Sequence, residues 1–520
     1  MTRFKRVFAE HRVVTAAGFA SLAFACSAMA FEGTASERLA EAQKELFADR
    51  FENASSLYAK LLEEQPEQSE AWYGLVRAEI AAHHSAKAYA AAEQALIKAP
   101  QTAGAETAAG LAMFRRGNFS SAESHFRAAL AIKPDYPGAL EGIASLYYAV
   151  SRPKTGQDFL LSAYRQAPDD PRLMLAYANT LKGPEHVAAL EAALSKIDPA
   201  AEQAKNLRAH IANDRALGDR KLRRLVSPYE SSRIKLSLIA NGPRHPRGWG
   251  LRLMLNQKES VKLLLDTGAS GIAVSPKLAE KAGLQVISGE ASDAKGIGDK
   301  NPSSQISYLA SEIRAGEVVF ADYPVSVFRN AQSADFDGLI GADVFARFLV
   351  KIDFPKMELL LEPRPRNPDI GGDPAPVDAG PPAPGFSRVY RVGNHLAVPT
   401  NIEGGHPGVH SALFLLDSGS SANLIDTETA REAASVSSDS RIIVQGIQGK
   451  VDKTSLTNQV SLIFAGFKQE NPSLIAISLE KMSDSMGVGF GGLLGMPVLA
   501  NLAVTIDYRE GTVKMEYKKP

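Results

Sequence analysis

The 520-residue sequence predicts an all-α repeat domain followed by two all-β lobes, and three observations carry that expectation. Prolines recur at a fixed interval of 34 residues through the first third of the chain. From about Ser232 the apolar period changes from helical to alternating, with short β-branched or leucine-rich runs bounded by Gly, Asn, Asp and Pro. Two segments of this second part, LLLDTGASGIAVS at 263–275 and FLLDSGSSANLID at 414–426, repeat one another 151 residues apart.

The length exceeds what one hydrophobic core organises, so several domains are expected. Lysine plus arginine equals aspartate plus glutamate at 58 each. No net field then attracts a polyanion, and nucleic acid is not an expected partner. Beyond the first 30 residues no stretch approaches the ~18 uninterrupted apolar residues of a membrane span, so none is expected in the mature chain.

Residues 1–30 read as an export signal. Arg3, Lys5, Arg6 and Arg12 precede an apolar run from Val13 to Ala25, and Ala28-Met29-Ala30 supplies the small-x-small pattern before a cleavage point. The expected protein is exported, either periplasmic or secreted. Cys26 is the single cysteine and lies inside this segment. Lipid modification at Cys26 is the weaker expectation, because Ala23 stands where an aliphatic residue is usual. Cleavage after Ala30 leaves no cysteine for disulfides, thiolate catalysis or cysteine-ligated zinc.

The helical domain is expected over 35–220. Pro66, Pro100, Pro134 and Pro168 set the register of three matching columns. These are Ala54, Ala88, Ala122 and Gly156; then Tyr58, Ala92, Phe126 and Leu160; then Leu61, Ala95, Ala129 and Ala163. Small residues let the two helices of a hairpin approach, the larger column fills the space to the next hairpin, and proline ends the second helix. The pattern resembles the tetratricopeptide repeat, with four units over about 35–168 and Trp72 and Gly74 adding to the likeness. A shorter hairpin ends near Pro199, and a polar helix from about Ala200 to Asp219 caps the stack. The resemblance implies a superhelix with a concave groove for a protein or peptide partner; a spacer or dimerisation arm is its blander role. No titratable cluster is legible in this region and no His-Glu-x-x-His occurs, so no metal site is expected. His83 with His84, and His406 with His410, read as surface residues.

Two β-lobes are expected at 232–361 and 386–520, joined by a linker at 362–385 dense in Pro, Gly and Asp. A lone Asp-Thr-Gly is weak evidence, since those residues populate ordinary turns. Here each triplet follows an apolar run and has companions at matched distances. Leu339-Ile340-Gly341 answers Leu493-Leu494-Gly495, with the glycines 75 and 78 residues after their aspartates. Ile352-Asp353-Phe354 answers Ile506-Asp507-Tyr508. The turns Gly296-Ile297-Gly298 and Gly446-Ile447-Gln448-Gly449 begin 30 and 29 residues after their aspartates. One β-lobe has been duplicated.

These paired motifs resemble the retropepsin-like and pepsin-like aspartic peptidases over about 232–520. The resemblance implies two acid-protease β-barrel lobes that each give one catalytic aspartate, Asp266 and Asp417. It implies that Thr267 and Ser418 brace the two turns, with Gly268, Gly419 and Ser420 supporting the site. The strands Leu339-Ile340-Gly341 and Leu493-Leu494-Gly495 would lie beside the turns, and Gly296, Ile297, Gly298, Gly446, Ile447 and Gly449 are flap candidates. Ala269 lacks the hydroxyl of Ser420, so Asp266 is expected to have one fewer donor and a higher pKa. No counterpart of the pepsin flap tyrosine is evident.

The chemistry follows from the residue types. Two carboxylates in hydrogen-bonding reach share one proton over a wide pH range, so one acts as base and the other as acid. A water between them hydrolyses a peptide bond without metal or organic cofactor, and the expected substrate is a peptide or protein. The rival class is a non-catalytic periplasmic scaffold whose lobes bind peptide. Two other motifs carry less: Gly487-Val488-Gly489-Phe490-Gly491 is a faint nucleotide-loop pattern outside a strand-to-helix unit, and Ser232 with Lys235 is an isolated serine–lysine spacing.

Overall fold

The computed structural model describes residues 34–228, 231–240, 246–294, 297, 303–328, 337–364, 382–408, 410–439, 441–446, 449–451 and 453–518. Residues 1–30 with Cys26, most of the linker, and Gly296, Gly298 and Ile447 of the flap candidates lie outside them. No helix among the described residues is long and apolar enough to cross a membrane.

Eleven helices form the described N-terminal part: α1 (Ala35–Phe47), α2 (Phe51–Glu64), α3 (Ser69–Ala81), α4 (Ser85–Lys98), α5 (Ala103–Arg115), α6 (Phe119–Ile132), α7 (Pro137–Ala149), α8 (Pro153–Gln166), α9 (Pro171–Ala178), α10 (Gly183–Leu194) and α11 (Glu202–Leu217). The three sequence columns are buried in all four units. The Tyr58 ring occupies the place where Gly74 would carry a Cβ, and the Phe126 ring lies against both Gly110 and Gly142. Aromatic knob and glycine hole are thus one packing unit, and burying such a ring contributes roughly 1.5–3 kcal/mol.

A fourth column shows itself only in the backbone. Asp49, His83, Gly117 and Ser151 close the first helix of each hairpin in the left-handed region, at φ of 61°, 63°, 76° and 60°. In each case the next amide reaches back five residues, as in Arg50 N–H to Glu45 O and His84 N–H to Glu79 O. This is the Schellman end of a helix. Three of the four residues are not glycine, so each accepts a local strain of about 1 kcal/mol, and sequence composition conceals the column.

The array curls far enough for distant hairpins to meet. Arg77 of α3 pairs with Asp170, the N-cap of α9, at 2.9 Å, and Tyr136 donates to Glu70 at 2.6 Å. Arg50 pairs with Asp198 at 3.4 Å, and the Asp198 amide donates to Ala48 O. Hairpins far apart along the array are thus tied to one another by two ion pairs and two hydrogen bonds.

The two lobes have the same internal topology. In the first, strand Glu259–Asp266 pairs in parallel with Gly338–Gly341, with Asp266 opposite Gly341; Ile272–Val274 runs antiparallel on the other side. In the second, His410–Leu416 pairs in parallel with Gly492–Leu494, flanked by Leu424–Asp426. Apolar side chains bury on both faces of these central strands, which is why they read as unbroken apolar runs. The two Ile-Asp-aromatic motifs meet in one sheet beneath the lobes. Leu349–Asp353 runs antiparallel to Leu502–Asp507, with Val350 opposite Ile506 and Ile352 opposite Val504. Lys351 faces Thr505, its own counterpart in the duplication, so an approximate twofold axis passes through that pair.

The helical array grips the second lobe. Buried Arg115 at the end of α5 donates to Ser483 O and pairs with Asp484, which His83 also meets at 2.8 Å. Phe119 stands edge-on to Tyr390, ring centroids 4.5 Å apart. The first lobe is held by α11: Asn213 donates to Ser307 and accepts from Ser288, while Lys205 pairs with Asp293.

The weaker motifs resolve as structure. The amide of Gly489 donates to Arg115 O, that of Phe490 to Ser483 Oγ and that of Gly491 to Leu413 O. None of these N–H groups is left to cradle a phosphate. Ser232 Oγ accepts from the Glu317 amide, and Lys235, three residues along the same strand, projects from the opposite face. His83 and His84 lie at the surface, with side chains 64% and 37% exposed, and meet Asp484 and Glu79 there.

Candidate active site

Asp266 closes the strand before its turn and Asp417 directly follows the end of its strand, and the parallel strand beside each holds that turn in place. The Asp417 amide donates to Leu494 O at 3.0 Å, and Met496 N–H donates to Ser420 O at 2.9 Å. Gly341 and Gly495 pack against the loops that follow the two aspartates. A Cβ on Gly341 would fall 2.5 Å from Ala269 O, and one on Gly495 would fall 2.8 Å from Ser420 O. Leu339, Ile340, Leu493 and Leu494 fill the core behind.

The two turns are locked to each other by four hydrogen bonds. Thr267 Oγ1 donates to Leu416 O at 2.7 Å, and Ser418 Oγ donates to Leu265 O at 2.7 Å. The Thr267 amide donates to Ser418 Oγ at 3.0 Å, and the Ser418 amide to Thr267 Oγ1 at 2.9 Å. Both side chains are buried. Each hydroxyl thus acts as donor and acceptor at once, which only Ser or Thr supplies at this size.

The brace brings the Asp266 and Asp417 carboxyls within hydrogen-bonding reach of each other. Gly268 and Gly419 make this approach possible. A Cβ on Gly268 would lie 2.7 Å from Asp417 Cγ, and one on Gly419 would lie 2.5 Å from Asp266 Cγ. Asp417 is buried, while Asp266 is partly exposed.

The surroundings differ between the two carboxyls. Asp266 Oδ1 accepts one amide, from Gly268 at 2.8 Å. Asp417 Oδ1 accepts two, from Gly419 at 2.9 Å and Ser420 at 3.0 Å. Burial, then the charge of Asp417 and the hydrogen bond between the pair, push Asp266 well above the usual carboxylate range. Burial also raises Asp417, but the hydrogen bond from Asp266 and the Gly419 and Ser420 amides hold it back. The pair therefore shares one proton where a lone carboxyl would be ionised, and the second amide on Asp417 favours the charged form of that partner.

The direction of this asymmetry is that expected from Ala269 facing Ser420, but its cause is different. The Ser420 hydroxyl donates to Ala422 O at 2.8 Å and does not reach the carboxyl. The extra donor is the Ser420 backbone amide, which depends on turn geometry and not on the side chain.

Three residues that sequence reasoning missed surround the first turn. Asp343 accepts from Ser270 Oγ at 3.0 Å and from the Gly271 amide at 2.9 Å. Asn394 donates to Ser270 Oγ at 2.8 Å and to Asp343 at 3.0 Å, tying the second lobe to this loop. His395, next along, has its pKa lowered by burial, although Asp343, Asp266 and the Gly268 backbone favour its charged form. Asp343 lies two residues past Gly341, yet the matching position in the second lobe is Pro497. Asp343 has no duplicate, so the paired motifs do not mark it.

Of the flap candidates, Ile297, Gly446 and Gly449 are described. Gly446 and Gly449 pair across a short hairpin, and the Ile297 backbone lies against Gly446, so turn segments of the two lobes meet.

Comparison with known proteins finds likenesses in both parts of the chain. Residues 251–344 and 398–498 match the model of the Aspartyl protease family, one stretch in each lobe. No curated protein matches. Among solved structures, the helical part is similar to the APC/C hetero-tetramer Cut9-Hcn1, at 16% identity and a TM-score of 0.27, over 35% of this chain and 37% of that one. It is also similar to a thermophilic TPR protein of Thermus thermophilus, at 20% identity and a TM-score of 0.27, over 34% and 97% of the two chains. A third likeness is to pilF of Pseudomonas aeruginosa, at 14% identity and a TM-score of 0.23, over 34% and 82%.

Proposed function

We propose that this chain is an aspartic endopeptidase whose catalytic pair is Asp266 and Asp417. The observation that supports it best is the asymmetric carboxyl pair, held by reciprocal Thr267 and Ser418 bonds across an approximate twofold axis. A structural turn needs none of this, whereas general acid–base hydrolysis needs one protonated and one ionised carboxyl at the same place.

In the proposed reaction a water held between the carboxyls gives a proton to Asp417, and its oxygen adds to the scissile carbonyl carbon. Asp266 gives its proton to the carbonyl oxygen as it becomes a hydroxyl. When the tetrahedral carbon collapses, the C–N bond breaks, Asp417 passes its proton to the leaving nitrogen, and Asp266 recovers one from the geminal hydroxyl. Atoms and charge balance without a covalent enzyme intermediate. The basic, apolar and small-residue sequence of positions 1–30 supports action after export. The Arg115 and Asn213 contacts support a helical domain that carries both lobes, and its outer faces would recruit a protein partner.

The test is mass-spectrometric detection of cleavage in a peptide library by the folded protein, against Asp266→Asn as blank. Cleavage by the wild type alone supports the proposal. A folded wild type that binds peptides and leaves them intact from acid to neutral pH overturns it in favour of a peptide-binding scaffold.

A further inference from the structure

No sequence motif points to a metal site in the helical domain, yet folding assembles a set of metal-type ligands there. His186 lies in α10, while His210 and Asp214 lie one turn apart in α11. Their ligand atoms all fall within 4.8 Å of one another. His210 Nε2 is 2.9 Å from Asp214 Oδ2, and His186 Nε2 is 3.2 Å from the same oxygen.

The hydrogen count at this cluster is unusual. His186 Nδ1 lies 2.7 Å from Ala178 O. A carbonyl only accepts, so Nδ1 carries the hydrogen, and the neutral ring has a lone pair on Nε2. That lone pair faces a carboxylate oxygen. Either a second proton on His186 or a cation among the three groups relieves the conflict. An imidazole oriented by a backbone carbonyl through one nitrogen, with the other free to ligate, is how proteins commonly aim histidine at a metal.

The distances fit as well. With bonds of about 2.0–2.2 Å, two ligand atoms of a tetrahedral zinc site stand roughly 3.3–3.5 Å apart. The two distances to Asp214 Oδ2, 3.2 and 2.9 Å, need only a few tenths of an ångström of opening, and the two imidazoles stand within 4.8 Å of one another. The side chains of His186 and Asp214 are 17% and 28% exposed and that of His210 is 53% exposed, so a cation has a path in and room for water as fourth ligand.

We propose that His186, His210 and Asp214 bind one divalent cation of the zinc class, fastening α10 to α11. The helix so fastened carries Asn206, Asn213 and Lys205, which hold Asp293, Ser288 and Ser307 of the first lobe. The cation therefore sits at the joint between the helical domain and that lobe, and the site is independent of the peptidase reading.

The experiment uses the full chain, stripped with a chelator and titrated with zinc ion against a chromophoric competitor, with melting temperature followed in parallel. One zinc per chain, a raised melting temperature, and an affinity weakened at least about tenfold in both His210→Asn and Asp214→Asn are expected. His125→Asn, on α6, should bind like the wild type. Because His210 is exposed, its variant should melt like the metal-free wild type, which separates lost ligation from lost folding. No uptake at micromolar zinc, uptake unchanged in both site variants, or equal loss in His125→Asn would overturn the proposal.

Discussion

Thr267 and Ser418 each donate a hydroxyl to the carbonyl preceding the other's aspartate, and each accepts the other's amide. Four hydrogen bonds are invested in the distance between two carboxyls 151 residues apart in sequence.

The brace predicts a large cost for a small truncation. Ser418→Ala leaves the buried Thr267 amide and Leu265 carbonyl without this partner, at roughly 1–3 kcal/mol for each unsatisfied group. Ser418→Thr keeps the hydroxyl and should lose much less. Denaturant unfolding of the β-lobes, followed with peptidase turnover, checks the order: Ala well below Thr, and Thr near wild type. Equal stability of Ala and wild type would remove the brace.

Asp266→Asn and Asp417→Asn should each lower kcat by at least about a thousandfold, because each leaves half of a cooperating acid–base pair. Mixing the two variants at micromolar concentration should recover nothing. Val350 and Ile506 share one sheet within a single chain, so both turns are built on one floor. Substantial recovered activity would mean that sites form between chains.

The raised Asp266 pKa gives stability a sign with pH. The folded state binds this proton more tightly than the unfolded state does. Stability therefore falls as pH rises from the unfolded carboxyl value, about 4, up through the raised folded value, and is constant above it. Asp266→Asn removes that cost. Its melting temperature should match the wild type in acid and exceed it increasingly toward neutrality; a constant difference across that range would rule out the raised pKa.

The Ser420 hydroxyl should be kinetically silent, since its bond goes to Ala422 O. Ser420→Ala and Ala269→Ser should both leave the acid limb of the pH profile for kcat/KM in place, because the Asp417 donor is an amide. Movement of that limb by more than about half a unit would put the hydroxyl back on the carboxyl.

Whatever repeats at short range was legible in the amino-acid sequence. Pro66 to Pro168 and the buried columns mark four hairpins because each hairpin meets the same neighbours. Asp266-Thr-Gly and Asp417-Ser-Gly mark two turns because each sits in the same local strand pattern. Matched spacing was enough to pair Leu339-Ile340-Gly341 with Leu493-Leu494-Gly495. Groups without a periodic partner waited for the chain to fold. The left-handed column of Asp49, His83 and Ser151 is a backbone state that three different side chains tolerate. Arg77 reaches Asp170 only because the array curls, and His186 meets His210 and Asp214 only because α10 packs on α11. The Ser420 hydroxyl was legible as a donor but not its target. A rotatable group bonds to whichever acceptor folding offers it, and here that acceptor is Ala422 O and not the carboxyl its sequence position suggested.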